Sequence, residues 1–254
     1  MSLKSLVLVF ILVFTFNACG INKVQYTNRA RLITISPHKE ILMGLNASKE
    51  IKKENRQYLD KDKIFLKRVQ RVGRRLAKVA NRPDFKWEFH TISKNIINAF
   101  CLPGGKVYVY TGIKKVVKND DQLATVMSHE IAHAIARHGA ERVSMQQISD
   151  IGHSILSLAI KSKVPQYEKV FNTAYNYGTN LGIMLPYSRK HELEADKIGL
   201  ILMGKAGYNT KEALKFWQNM KKVTKNNKND FFSTHPSDDK RIAQIKKFNQ
   251  NIKK

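Results

Sequence analysis

Two histidines and a glutamate stand together at His129-Glu130-Ile131-Ala132-His133, inside an apolar-periodic run that begins after Asn119-Asp120-Asp121. On a helix, residues four apart are separated by about 40° of rotation, so His129 and His133 project from one face, where two imidazoles can bind a single metal ion. That spacing suits zinc, which takes neutral imidazole nitrogens in a tetrahedral shell and leaves one position to water when the chemistry is hydrolysis. Glu130 lies beside the pair, placed to take and return a proton. A catalytic zinc of this kind draws its third ligand, a carboxylate, from a second helix. Downstream, Glu192 and Asp196 are four apart and share a face, so one can bind metal while the other orients an imidazole through its remaining N–H. Glu194 is expected on the opposite side. His138 reads as a histidine that caps or complements the end of the motif helix rather than as a ligand.

The elements that must hold these residues follow from periodicity. Ile64, Phe65, Val69, Val72, Leu76 and Val79 recur every three or four positions and predict an amphipathic helix over Asp62 to Ala80. Phe85, Trp87 and Phe89 alternate with polar residues, a strand period, and a second run from Ile96 to Phe100 leads through Pro103-Gly104-Gly105 into Lys106 to Thr111, a hairpin-like pair. A small sheet therefore precedes the motif helix. Asn119 and Gln122 form a capping-box pattern, Leu123, Val126, Met127, Ile131 and Ala134 would bury one side, and Gly139 is read as the stop. Ile151 to Ile160 and the apolar stretch Gly178 to Leu185 are read as core packing, with cleft cover or membrane contact as the alternative. Ser188 caps a helix carrying Glu192 to Leu202, another helix holds Leu214, Phe216, Trp217 and Met220, and the block Ser233 to Asp239 starts a terminal helix.

The chain has 254 residues, 43% of them hydrophobic, enough for one sizeable core. Lys4 and the apolar run Leu6 to Phe16 describe a secretory leader, far short of the roughly 20 residues that span a bilayer. Ala18-Cys19-Gly20 resembles the bacterial lipobox, although Phe16 stands where that motif usually has leucine. Cys19 is then the lipidation site, residues 1–18 the signal peptide and 19–56 a polar tether with one or two short structured pieces. Gly20 favours an outer-membrane destination by the sorting rule of enteric bacteria. Lipidation leaves Cys101 as the only thiol, without a disulfide partner, and it reads as an apolar filler in a strand rather than a nucleophile. The formal net charge of +25 is spread along the whole chain without a helix-turn-helix, an aromatic RNA-binding strand or a phosphate loop, so no nucleic-acid partner is expected. The charge fits a solvated basic surface, or attraction to anionic lipid headgroups as the alternative.

The motif residues continued by Arg137-His138, the stretch Ser188-Arg189-Lys190-His191-Glu192-Leu193-Glu194-Ala195-Asp196, the upstream Asn98-Ala99-Phe100-Cys101-Leu102-Pro103-Gly104-Gly105, and His235-Pro236 with Arg241 together resemble the HtpX/CAAX-prenyl-protease type of zinc metallopeptidase. More narrowly, the chain resembles its small periplasmic, LoiP-like lipoprotein branch. The resemblance runs from about residue 60 to residue 250. It implies an α+β, mainly helical gluzincin-like domain over 57–254 with a small antiparallel or mixed sheet beside the motif helix. It implies one Zn2+ per chain on His129, His133 and Glu192, with Asp196 supporting a ligating histidine and Glu130 as general base. Asn98, Ala99, Phe100, Gly104 and Gly105 would supply the edge strand on which an extended substrate adds as another strand. In relatives the histidine of the His-Pro motif can occupy the water position, so His235 would gate the metal or donate to the transition state, and Arg241 would contact substrate or brace Glu192. The implied function is an envelope endopeptidase acting on misfolded or damaged proteins. The competing reading is a chaperone-like lipoprotein that binds clients and cleaves rarely, against which the intact Glu130 argues. Oligomeric state is not legible in the sequence.

Overall fold

The computed structural model describes residues 21–170, 172, 188–224, 235 and 239–251; the leader and Cys19 lie outside them, as does the stretch Gly178 to Leu185. In chain order the described elements are β1 (Ile21–Lys23), β2 (Ala30–Leu32), α1 (Pro37–Glu54), α2 (Lys63–Val79), β3 (Glu88–Ile92), β4 (Ala99–Leu102), β5 (Lys106–Tyr110), α3 (Asp120–Ile135), α4 (His138–Lys163), α5 (Arg189–Lys205), α6 (Glu212–Thr224) and α7 (Asp239–Asn251). Short 3-10 turns at Thr111–Lys115 and Pro165–Tyr167 complete the set. The chain divides into two compact units, one from Met1–Ser36 with Gly139–Leu185, the other from Pro37–His138 with Pro186–Lys254.

In the first unit, β1 and β2 form an antiparallel pair. Ile33 and Ile35 pack on Ala140 and Val143 of α4, and Arg29 grips Glu141 through two 2.7 Å hydrogen bonds. Farther along α4, Ile151, Ile155, Leu156 and Leu158 are between 56% and 69% exposed, so core packing does not describe this block. Periodicity identifies an amphipathic helix but cannot say whether its apolar side meets the protein's own core.

In the second unit, a mixed three-stranded sheet runs in the order β3-β5-β4. β3 lies parallel to β5 from Glu88↔Lys106 to Ile92↔Tyr110, and β4 lies antiparallel to it from Ala99↔Val109 to Leu102↔Lys106, joined through the expected Pro103-Gly104-Gly105 turn. α2 begins where Asp62 Oδ1 accepts from the Phe65 N–H, and buries Phe65, Val69, Val72 and Leu76 as its period predicts. Two residues of the stripe depart from it: Ile64 is 87% exposed and Val79 is half-buried.

Within 19–56, read from sequence as a polar tether with one or two short structured pieces, the structure has α1, an 18-residue helix. Its buried positions are Glu40, Gly44 and Ser48, none of them large and apolar, so no hydrophobic period announces it. A β-carbon at Gly44 would lie 2.1 Å from the carbonyl oxygen of Pro103, so α1 approaches the β4–β5 turn closer than any other residue type would allow. Ser48 and Tyr108 join hydroxyls across that contact at 2.7 Å.

Candidate metal centre

α3 is the central element of the second unit. The Asn119 side chain accepts from the Gln122 N–H at 2.9 Å, as the capping pattern predicts, while Gln122 Oε1 reaches one residue farther back to the Lys118 N–H. From Gln122 to Ile135 every residue is buried, so the helix is covered on all sides and not along one stripe. The small residues Ala124, Thr125, Ser128 and Ala132 leave room for that second layer of neighbours. α3 ends before Gly139. Its closing turn is Arg137, at φ +56°, and the Arg137 guanidinium is tied to the Glu40 carboxylate of α1. This left-handed residue breaks the helix early and lets His138 begin α4 fully buried.

α5, started by Ser188 accepting from the His191 N–H at 3.3 Å, packs against α3. At Gly199 a β-carbon would sit 3.2 Å from the backbone nitrogen of His129, so the two helix backbones nearly touch at the motif. The approach brings Glu192 Oε2 to 3.3 Å from His129 Nε2 and Glu192 Oε1 to 3.3 Å from His133 Nε2. His235 Nδ1 completes the group, 3.1 Å from Glu192 Oε1 and 3.3 Å from His129 Nε2. The ligand atoms of His129, His133, Glu192 and His235 all lie within 4.8 Å of one another, and all four residues are buried.

These residues fit a metal ion. His129 Nε2 and His133 Nε2 face each other at 3.1 Å, while the far nitrogen of each ring is engaged elsewhere. His129 Nδ1 lies 2.9 Å from Asp196 Oδ1, and His133 Nδ1 lies 2.9 Å from His138 Nδ1. An N–H on each engaged nitrogen leaves both Nε2 atoms with lone pairs aimed at one spot, which a cation accommodates. Two imidazoles with a carboxylate are the donor set of a hydrolytic zinc site.

The acids around this spot are held in different states. Burial opposes ionisation of Glu192, yet its contacts with the imidazoles of His129, His133 and His235 outweigh it and hold the carboxyl far below its usual range. Burial likewise opposes Asp196, which the charge and hydrogen bonds of Arg241 and the His129 contact keep ionised. Arg241 Nε and Nη2 bind Asp196 at 2.6 and 2.8 Å, Nη1 lies 2.7 Å from Glu192 Oε2, and the guanidinium stacks 4.1 Å over the Trp217 ring. Arg241 therefore braces both acids from within the protein. Burial lowers His129, but Asp196 and Glu192 together lift it to about 9; at His133 burial prevails and drives the value well below the ordinary one. Glu130 is pushed up, chiefly by burial, and its Oε1 has no hydrogen-bond partner; His235 Nε2 is 3.5 Å away.

β4 lies beside α3 and pairs only with β5 among the described residues, which leaves one edge unpaired. Asn98 Oδ1 accepts from the Ala99 N–H, and Phe100 stacks on Tyr108 at 5.0 Å. Cys101 sits in β4 with its thiol pushed up by burial and by the Glu130 charge, consistent with a filler and not a nucleophile. Two residues take positions that the sequence reading did not give them. His138, read as a histidine that caps or complements the end of the motif helix, begins α4 instead: its Nε2 lies 3.0 Å from Glu194 Oε2, and Glu194 is itself buried. Helical spacing orients a side chain on its own helix but carries no information about a contact formed across two helices.

Peptidase family M48 matches residues 66–249. The chain is 36% identical over 228 residues to the mitochondrial metalloendopeptidase OMA1 of Schizosaccharomyces pombe, covering 89% of this chain and 65% of that protein. It is 35% identical over 193 residues to the mitochondrial metalloendopeptidase OMA1 of Arabidopsis thaliana, covering 76% of this chain and 38% of the relative. It is also 27% identical over 194 residues to the beta-barrel assembly-enhancing protease of Escherichia coli, covering 73% of this chain and 39% of the relative. The chain thus spans less than two thirds of the length of each of these relatives.

Proposed function

Because the chain belongs to peptidase family M48, we propose that it is a zinc-dependent endopeptidase that cuts misfolded or damaged proteins of a bacterial cell envelope. The observation that carries the reading is the convergence of His129, His133 and Glu192, with His235, around one buried point beside Glu130. Zinc, when bound by His129, His133 and Glu192, supplies Lewis acidity that brings the pKa of water to about 7 and polarises a carbonyl. Asp196 holds the His129 ring with Nε2 inward, and Arg241 keeps Asp196 ionised and pairs with Glu192 without itself facing solvent. Glu130, buried and with Oε1 unengaged, takes the proton of the attacking water and returns it to the leaving amine. The unpaired edge of β4 binds an extended substrate by main-chain hydrogen bonds, which gives loose sequence preference. His235 sits where a fourth ligand belongs, and the same proposal reads this arrangement as a self-inhibited state.

Placement in the small lipoprotein branch, a lipid at Cys19 and an outer-membrane site rest on Lys4, the apolar run Leu6 to Phe16 and Ala18-Cys19-Gly20. Similarity to the bacterial beta-barrel assembly-enhancing protease and to the mitochondrial metalloendopeptidases supports a proteolytic role. Cleavage of casein or an unfolded protein, with Glu130→Gln as control, tests the reading together with zinc analysis of wild type and His133→Ala. Wild-type cleavage abolished in Glu130→Gln and about one zinc per chain lost in His133→Ala are expected. Equal weak cleavage in both proteins points to client binding alone, and a wild type without stoichiometric zinc overturns the proposal. His235→Ala is expected to raise cleavage; a large loss makes His235 a transition-state donor.

A further inference from the structure

Within the first unit, α4 is covered only where it begins. Ile33 and Ile35 pack on Ala140, the Thr34 N–H donates to Ser144 Oγ at 2.9 Å, and the Thr34 hydroxyl lies 2.8 Å from Gln147 Oε1. The face that holds Ala140 and Ser144 runs on as Ile148, Ile151, Ile155 and Leu158, spaced by three, four and three residues and all exposed. The chain comes back past the other side of the helix, where the Ser157 hydroxyl donates to Asn172 Oδ1 at 3.0 Å.

Three observations say what covers this stripe. Met145 and Leu156 are exposed as well and widen the apolar arc beyond the narrow seam of a two-stranded coiled coil. From Met145 to Ile160, Asp150 is the only Asp, Glu, Lys or Arg, so the flanking charges that select a partner helix are missing. Lys161 and Lys163 stand exposed in the last turn, and no described helix is long and apolar enough to cross a membrane. A wide aliphatic face that ends in lysines suits the surface of an anionic bilayer. The third observation is the start of the chain. Ile21 of β1 pairs with Leu32 of β2, the neighbour of Ile33 on α4. Cys19, two residues earlier, lies within about 7 Å of Ile21 by chain length alone, so a lipid there enters the bilayer beside the head of the stripe.

We propose that the exposed face of α4 lies in the surface of an anionic bilayer, as a second membrane contact of the unit that carries the lipid anchor. Ile151, Ile155 and Leu158 leave water for the acyl boundary, while Lys161 and Lys163 keep their ammonium groups among the headgroups. The inference deepens the lipoprotein reading, but the face is tested with no lipid on the chain.

The full chain carrying Cys19→Ser and Cys101→Ser is labelled with a polarity-sensitive fluorophore at Ile155→Cys or, about 140° round the helix, at Asp150→Cys. Both positions are exposed, so the labels remove no core packing. With vesicles of phosphatidylethanolamine and phosphatidylglycerol, the probe at 155 should shift to the blue and be quenched by lipids brominated along the acyl chain. The probe at 150 should do neither. Adding Ile151→Ser with Leu158→Ser should lose most of the quenching at 155. The readout is local to α4, so the leader's own affinity for lipid does not imitate it. A probe at 155 that stays in water overturns the proposal, as does equal quenching at both positions or quenching indifferent to the two serines. A probe already blue-shifted without vesicles and unmoved by brominated lipid overturns it in favour of a protein cover, a second copy or another part of the chain. Acylation is read separately, from the mass of wild-type chain isolated from bacterial membranes; an unmodified Cys19 falls on the lipoprotein reading and leaves the vesicle result standing.

Discussion

Among single residues, Arg241 has the largest leverage. It is 1% exposed and touches Asp196 through two hydrogen bonds and Glu192 through a third contact, while its flat face covers Trp217. Removing one partner of such a buried network leaves the other charges uncompensated, at a cost of about 3–5 kcal/mol. Arg241→Ala is expected to lose that much stability in urea unfolding. Arg241→Lys should recover little of it, because an ammonium cannot span both oxygens of Asp196 and reach Glu192 from one rigid fork. A loss below about 1 kcal/mol would sink this view of the residue. At this scale the sequence was readable where chemistry depends on spacing along one helix: His129 with His133, and Glu192 with Asp196. It was silent on His138 with Glu194, which meet only because Arg137 turns the chain at φ +56°.

Elements were legible in proportion to their apolar period. α2, the β4–β5 hairpin, the cap of α3 and the cap of α5 all stand where capping and alternation put them. α1 was missed because its buried side is Glu40, Gly44 and Ser48, and α3 was read as one-sided because its second buried face is built from small and polar residues. The helix pair α3–α5 is as precise as its tightest point. An added methyl at Gly199 would meet the His129 nitrogen and the Ser128 hydroxyl, both at 3.2 Å, and the backbone partner cannot swing aside. Gly199→Ala should therefore cost roughly 1–3 kcal/mol and push Glu192 away from the two histidines, so zinc affinity falls with stability. Gly204→Ala, with only the Thr210 methyl at 3.9 Å, is the control on the same helix and should leave zinc affinity unchanged.

Taken as a whole, the molecule carries +25 formal charges, and its acids are few and heavily used. Burial disfavours ionisation of Glu88, but hydrogen bonds from Lys106, Lys52 and His90 bring it down to about 2; Glu212 is brought to about 2 by Lys215, Asn119 and Gln122 against a smaller burial penalty. Both folded values lie below the ordinary 4.5, so the stability these groups contribute is present above pH 4.5 and disappears as pH falls toward 2. Acid unfolding should begin in that window, and Glu212→Gln should flatten the fall. Unchanged acid sensitivity in that variant would remove Glu212 from the account. The order of parts along the chain has a further consequence, for biosynthesis. The candidate ligands His129, His133 and Glu192 precede the guanidinium that pairs with Glu192 and Asp196, which sits on α7, after every other described element. A nascent chain leaving the ribosome can bury that acid pair against Arg241 only once α7 has been made. Chains halted before Asp239 should therefore emerge without retained zinc if the cluster is a zinc centre.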